Sequence, residues 1–575
     1  MGRPVAFIAS SKTTDRASSP SKASSMFLLF LIIHVPAVMA NSQRPNILLL
    51  MAEDMNQHVG AFGDPVAVTP ELDKMAAAGV RYTNTFTTAG VCAPSRAALI
   101  MGAHQITFGA QHQRTDSFPE GSYRTVPPAT MKAFPELLRG AGYYTFTNNK
   151  LDYQFSGPLP GSGPFTIWDE EGHNTDWHNR PLDKPFFGYM NFLVTHESGV
   201  FAPLGHWPHS VTQLGLQLFR AYEFGVPEEN TPVSGSKIQL PPYYPDTPTV
   251  RSDIARHYNN IAQMDGQIGR ILAQLKTEGL LSNTIVIWAA DNGDGLPRAK
   301  REVFDTGVKV PMIILWPEKF RPADAVPGTA NSRMISFVDL APTILSLAGA
   351  TVPEYMQGRN FTDPAIPERR YIYAERDRLD EVTDRQRLVR DRRFAYIYSY
   401  NAEQGGGEHL SFRDNIDMMR ELRQLHDDNK LNTVQRLWFQ PSGKERLYDT
   451  VADPYQIHDL ANDSRYAPEL ARMRAEYRRW RRKIPDMSDE PEGKMMQRFF
   501  PNGEQPITEA PQIVLTEGKI VLHSESEGAS IGYRLDEGHW QLFAEPVAVR
   551  SGQNIETKAV RYGWQESPST KLTVP

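Results

Sequence analysis

At 575 residues the chain is too long for one ordinary domain and calls for two or three compact units. Its 40% hydrophobic and 22% charged residues are the balance of a globular protein with a sizeable core. Lys and Arg total 61 against 67 Asp and Glu, a net charge of −6. That balance argues against nucleic acid or an anionic membrane as the main partner and leaves any polyanionic substrate to local basic groups.

Met26 to Ile33 (MFLLFLII) is an apolar run of signal-peptide length, too short to cross a bilayer. Arg3, Lys12, Arg16 and Lys22 precede it, and Val38-Met39-Ala40 offers a small-residue cleavage pattern. The expectation is an exported protein, periplasmic or secreted, that loses residues 1–40 and keeps no membrane span. An anchor that is never cleaved is the other reading.

Over residues 44–367, apolar runs alternate with helical segments, the pattern of an α/β domain with a mostly parallel central sheet. Asn46 to Met51 reads as a buried strand. Thr69 as N-cap and Pro70 at the first helical position open a helix that Gly79 closes. The lone cysteine, Cys92, precludes any disulfide within the chain. Tyr143 to Thr147 and Phe186 to Val194 are further strands. Ser252 to Gly279 carries Ile254, Ile261, Ile268, Leu272 and Leu275 at helical spacing, and Thr284 to Ala290 is another buried strand.

Glu53-Asp54, Asn148 to Lys150, His196 and Asp291-Asn292 each fall just beyond one of these strands. Ligand sites in open α/β sheets lie at the carboxyl ends of the strands, so these residues are expected at one edge. For Asp291-Asn292 the alternative is an Asx turn, and for His196 a structural histidine.

Residues 368–490 mix short strands (Tyr371 to Ala374, Phe394 to Tyr398) with a helix from Ala467 to Lys483. The arginines of that helix, interleaved with Glu469 and Glu476, form a solvated face or a glycan-binding patch. Pro485 to Pro506 reads as a linker, and residues 506–575 as a small β-sandwich.

Val91 to Ala97 (VCAPSRA) holds the pattern C-x-P-S-R at Cys92 to Arg96. With RPNILLLMAED, TPELDKMAAAGVRYTNTF and the helix-strand unit Tyr258 to Asp294, it resembles the type I sulfatases of the alkaline phosphatase superfamily. The resemblance implies an alkaline-phosphatase-like α/β fold. It also implies that a formylglycine-generating enzyme oxidises Cys92 to formylglycine, whose hydrated aldehyde attacks sulfur with one hydroxyl and expels sulfate through the other. By the same resemblance a calcium ion is held by Glu53, Asp54, Asp291, Asn292 and the modified Cys92. Arg96 is implied to stabilise the diol, and Lys150 to bridge diol and sulfate. Lys300, eleven residues before Pro311, is implied to bind sulfate, and His196 to protonate the leaving oxygen, with Lys300 competing for that role.

Two positions depart from the family pattern. Glu53 stands where two adjacent aspartates are usual, and Asp152 replaces a histidine that contacts the formylglycine. The base that deprotonates the diol is therefore Asp291 or, second, Asp152. Gln111, His112, Arg114, Asn148 and Asn149 are candidate substrate contacts. Glu527 to Trp540 and Pro546 to Trp564 resemble the small Ig-like domain of bacterial chitobiases, with a carbohydrate-binding, packing or spacer role.

The expected activity is sulfate-ester hydrolysis on a sulfated saccharide. A formylglycine-dependent phosphonate monoester or phosphodiester hydrolase is the alternative within the superfamily, and a non-catalytic sulfoglycan-binding protein the alternative outside catalysis.

Overall fold

The computed structural model describes residues 44–225 and 231–575. Its centre is an eight-stranded sheet of β1 (Asn46–Ala52), β2 (Val80–Phe86), β3 (Tyr144–Asn148), β4 (Glu170–Gly172), β5 (Phe186–Phe192), β6 (Thr284–Ala290), β7 (Lys309–Leu315) and β8 (Ala330–Ser336), in the order β4-β3-β5-β1-β6-β7-β2-β8. Only β7 runs against its neighbours. All seven residues of β1 and of β6 are buried, as near-continuous apolar strands covered on both faces must be.

The helices that position the site are α1 (Pro70–Ala78), α2 (Cys92–Met101), α3 (Phe134–Gly140), α4 (Val211–Phe224) and α5 (Pro248–Thr277). Ile261, Met264, Ile268 and Leu275 of α5 join β1 and β6 in one core cluster. Thr69 does not cap α1 as its position suggested. Its hydroxyl accepts from Gly60 N–H and donates to Asp73, while the free amides of Glu71 and Leu72 donate to Asp265 of α5 at 3.0 and 2.8 Å.

A four-stranded antiparallel sheet follows: β9 (Ile372–Leu379), β10 (Val382–Arg390), β11 (Phe394–Ser399) and β12 (Glu445–Asp449), in the order β12-β11-β10-β9. The expected strand ended at Ala374, where charges begin; β9 runs on through buried Glu375, Arg376, Asp377 and Arg378. Those charges are affordable inside because each side chain of Arg376 and Arg378 meets a carboxylate, Glu302 and Glu492 respectively. On the Ala467–Lys483 helix, Arg472, Arg474 and Arg479 pair with Asp391, Glu445 and Glu476, which favours the solvated face over a glycan patch.

The expected linker is a packed element. Glu492–Phe499 is helical, and Met495 and Phe499, one turn apart, bury against Tyr123. Glu492 accepts from Tyr123 Oη at 2.9 Å and from Arg378 Nε at 2.7 Å. The polar composition concealed an i, i+4 apolar pair.

The C-terminal segment forms a three-stranded and a four-stranded antiparallel sheet. It is tied to the main body by buried Glu136 of α3, which accepts from Ser530 Oγ (2.6 Å), Tyr562 Oη (2.8 Å) and Thr166 Oγ1 (2.6 Å). Tyr562 is fully buried and stacks on Phe155 with ring centroids 5.0 Å apart. Among the described residues no helix is long and apolar enough to cross a membrane. The export segment read at Met26 to Ile33 lies outside them.

Packing of this kind makes the C-terminal segment part of the body's stability. Tyr562→Ala is expected to cost about 3–5 kcal/mol, the usual penalty for emptying a buried aromatic site. Urea denaturation measures it, and a change below about 0.5 kcal/mol would show the segment to be loosely attached.

Candidate active site

The strands β3, β5, β1 and β6 are consecutive in the sheet and parallel, so their carboxyl ends meet at one edge. Glu53 and Asp54 leave β1, Lys150 follows β3, His196 follows β5, and Asp291 and Asn292 leave β6. Cys92 is the first residue of α2, and its helix brings Arg96 one turn deeper.

Arg96 is fully buried and divides its donors among three strands. Nε donates to Asp291 Oδ2 at 2.8 Å, Nη1 to Asn191 Oδ1 at 2.6 Å, and Nη2 to Glu53 Oε1. Lys150 Nζ reaches Glu53 Oε2 at 2.6 Å and lies 3.6 Å from Asp152 Oδ2. Lys300 Nζ reaches Asp54 Oδ2 at 2.6 Å and lies 3.4 Å from Glu197 Oε2. Asp54 also accepts from Asn292 Nδ2 at 2.9 Å and from Glu197 N–H at 2.6 Å.

Burial works against every ionised group here, and the partners decide which keep their charge. Burial alone would raise Glu53, yet Lys150 and Arg96 hold it down to about 2. Burial pushes Asp291 up to about 7, helped by the neighbouring Glu53 charge and opposed by Arg96. Burial raises the Cys92 thiol, against the pull of Lys150 and Lys300. His196 is driven well below its ordinary value by burial and by the two lysines.

Cys92 sits against Val91 and Leu379, the last residue of β9, so the second sheet closes over the cysteine. The Asp152 carboxylate borders the Cys92 thiol, and Gln113 Nε2 lies 3.8 Å from Sγ. Asp152 is held in a left-handed conformation (φ 62°) between Lys150 and Arg114, whose Nη2 is 3.4 Å away. Both oxygens of Asp291 are committed elsewhere, Oδ1 to the Asp54 amide at 3.1 Å and Oδ2 to Arg96.

Some sequence candidates belong to the scaffold. His112 Nδ1 accepts from Arg378 N–H, and Gln111 turns toward Met495. Asn148 and Asn149 fix the backbone and side chain of Asn191. Asn191 and Glu197 are the residues that sequence reasoning missed. Asn191 lies inside an apolar strand, and Glu197, paired with Arg301 Nη1 at 2.7 Å, follows the histidine that drew attention.

Oxygen-rich side chains here are able to hold a cation. Ligand atoms of Glu53, Asp54 and His196 lie within 4.8 Å of one another. Asn292 Oδ1 is buried without a hydrogen-bond partner while its Nδ2 is fixed on Asp54. An orphaned amide oxygen beside two carboxylates is the donor set of a hard metal ion.

The sulfatase family model matches residues 45–350, and the model for the C-terminal part of N-sulphoglucosamine sulphohydrolase matches residues 298–483. The chain belongs to the sulfatase family. An ulvan-active sulfatase of Formosa agariphila is 39% identical over 562 residues, covering 92% of this chain and 91% of that relative. Human N-sulphoglucosamine sulphohydrolase is 25% identical over 482 residues, covering 76% of this chain and 89% of its own. A solved structure in complex with its substrate D-glucosamine-2-N,6-O-disulfate shares the fold at TM-score 0.52 and 19% identity, covering 78% of this chain and 100% of that one. The phosphonate monoester hydrolase of Agrobacterium radiobacter shares it at TM-score 0.51 and 17% identity, covering 76% and 96%. This sulfatase therefore has the alkaline-phosphatase-like fold and hydrolyses sulfuric esters.

Glu197 neutralises two buried cations of the sulfatase site, Lys300 and Arg301. Glu197→Ala is expected to destabilise the fold by about 3–5 kcal/mol, because it strands charge in the interior. A urea melt indistinguishable from the parent protein would show that both cations find other compensation.

Proposed function

We propose that this sulfatase is exported and removes sulfate esters from a saccharide substrate, with formylglycine formed at Cys92 and calcium held by Glu53, Asp54, Asp291 and Asn292. The observation that carries the proposal is the placement of Cys92 at the head of α2, facing Asp152, beside two lysines and an acidic pair. Support for a saccharide comes from relatives active on ulvan and on sulphoglucosamine. The Met26 to Ile33 run supports export.

The calcium set is read from chemistry. Calcium prefers oxygen donors, so the unpartnered Asn292 Oδ1 is favoured over the imidazole of His196 beside Glu53 and Asp54, and Asp291 joins the set by the family resemblance. Formylglycine supplies a geminal diol as nucleophile, and calcium supplies positive charge at the sulfate oxygens.

The chain's own residues bind, orient and move protons. Glu53, Asp54, Asp152 and Asp291 face Arg96, Lys150, Lys300 and Arg114, so the cluster is close to electroneutral before a cation and an anionic ester enter together. Lys150 and Lys300 are protonated, each raised by its carboxylates against the opposing effect of burial, and orient the sulfate oxygens.

His196 Nδ1 accepts from the Ser198 amide at 3.3 Å, an N–H that can only donate. The neutral ring therefore carries its proton on Nε2, 4.0 Å from Asp54 Oδ2, and presents it to the leaving oxygen. Asp152 is the proton acceptor at position 92. Its carboxylate borders Cys92 and is held down to about 2 by Arg114 and Lys150 against the effect of burial, whereas Asp291 is occupied by Arg96.

Protein co-expressed with a formylglycine-generating enzyme is expected to release sulfate from at least one member of a panel of sulfated saccharides, with the aldehyde visible in the mass of the Cys92 peptide. Cys92→Ala is expected to keep its fold and lose turnover by at least about a thousandfold; near-parental activity would end the formylglycine reading. Release of phosphonate but not sulfate esters by aldehyde-bearing protein would favour the phosphonate hydrolase instead. Removal of calcium by a chelator is expected to abolish release and lower the melting temperature, with both restored by added calcium. A melting temperature unchanged by chelator and calcium would exclude the ion from this site.

A further inference from the structure

Of the substrate contacts expected from sequence, Gln111, His112, Asn148 and Asn149 serve the scaffold, and Arg114 does not. Its guanidinium makes one long hydrogen bond among the described residues, Nη2 to Asp152 Oδ2 at 3.4 Å. Nε is buried without a partner, while the side chain as a whole is 32% exposed. Asp380 and Asp116, whose charges also reach it, are taken by Arg301 at 3.0 Å and Arg124 at 3.3 Å. Neighbouring arginines are saturated by comparison. Arg96 meets Asp291, Asn191 and Glu53, and Arg378 meets both oxygens of Glu492 and the carbonyls of Gln113, Arg114 and Asp380. A buried N–H left open on a charged group calls for a reason.

Arg114 is held at φ 57° and ψ 97°, an unfavourable conformation for a residue with a side chain. Arg378 grips the Gln113 and Arg114 carbonyls at 3.2 Å each, and Gln113 N–H donates back to Arg378 O at 2.8 Å. Gln154, itself at φ 70°, accepts from Thr115 N–H at 3.2 Å and donates to the His112 carbonyl. That side chain ties the Arg114 loop to the loop that carries Asp152 at φ 62°. Two strained loops are thus laced together beside Cys92, whose thiol, like His196, feels the Arg114 charge. Steadying Asp152 does not by itself account for the arginine, because Lys150 already stands 3.6 Å from the same oxygen.

We propose that Arg114 binds a second anionic group of the substrate, an oxyanion carried by the sugar that bears the ester or by the neighbouring sugar. Its planar fork suits carboxylate and sulfate oxygens alike, and the open Nε offers one prong of it. The proposal rests on the saccharide-sulfatase reading above and narrows the substrate class to saccharides with a negative group besides the ester removed. Arg114 is a specificity-determining residue, since it touches substrate away from the reacting atoms.

The test uses the full chain as Cys92→Ala, calorimetry and two matched pairs of oligosaccharides. One pair is a sulfated uronic-acid oligosaccharide and its carboxyl-reduced form; the other is a disulfated oligosaccharide and its monosulfated form. With Arg114 intact, one pair is expected to show at least about a tenfold preference for the member with the extra anion, which names that anion. In Arg114→Gln the ratio is expected to fall below about twofold. Arg114→Lys is expected to lie between, since lysine restores the charge without the fork. A ratio of two affinities within one protein cancels any general disturbance of Asp152 or its loop, so a merely structural role would leave it unmoved.

An unchanged ratio in Arg114→Gln, or in folded Arg114→Lys should the glutamine variant not fold, would overturn the proposal. So would the absence of any preference while Arg114 is intact, or equal weakening of both members of each pair, which marks a brace for Asp152. Sulfate release by matured parental enzyme on the same saccharides keeps the two readings apart. Turnover without preference removes the anion contact alone; an Arg114-dependent preference without turnover removes the catalytic reading alone.

Discussion

Arg96 is the side chain on which the rest of the site depends. A fully buried carboxylate costs several kcal/mol unless an opposite charge and hydrogen bonds meet it, and Glu53 and Asp291 are both fully buried. One guanidinium satisfies the two carboxylates and the Asn191 amide at once, and its planar fork suits three partners in fixed directions. Because Arg96 lies one turn into the helix that begins with Cys92, the same contact sets the height of the cysteine above the strand ends. The position of Cys92 is thus a consequence of charge compensation.

Compensation extends outward in pairs. Lys300 links Asp54 to Glu197, Glu197 links to Arg301, and Arg301 reaches Asp380 in the turn between β9 and β10. The second sheet therefore does more than pack beside the first. Its hairpin brings Leu379 onto Cys92 and Asp380 onto the lysine network, so water is excluded where charge must act. The helix Glu492–Phe499 braces the hairpin through Glu492 and Arg378. An enzyme acting on a charged ester gains from such a frame, because preorganised charges in a dry site need little rearrangement during reaction.

Outside this neutralised frame, Arg298 and Arg413 are buried arginines whose hydrogen bonds go to backbone carbonyls: Tyr455 and Gln456 for the first, Gly406 and Glu408 for the second. With a net charge of −6, any polyanion this chain meets is left to local basic groups.

The apolar strands β1 and β6, the long helix α5 and the C-x-P-S-R motif were legible from residue order, because buried strands and amphipathic helices write their periods into the sequence. So was the meeting of Glu53, Asp54, Lys150, His196, Asp291 and Asn292 at one edge, since parallel strands must end on the same side. What order alone left open was pairing. Thr69 looked like a cap, but Asp265, 193 residues away from Leu72, satisfies that helix. Glu375 to Arg378 looked too charged for a strand, and Pro485 to Pro506 too polar to pack. Asp291 ranked ahead of Asp152 as a base by residue order alone; only the structure shows Arg96 on Asp291 and Asp152 beside Cys92. Residue types and spacing determined which groups this protein brings to its site; which of them remain unengaged was decided only by the tertiary structure, because partners of buried charges come from distant parts of the chain.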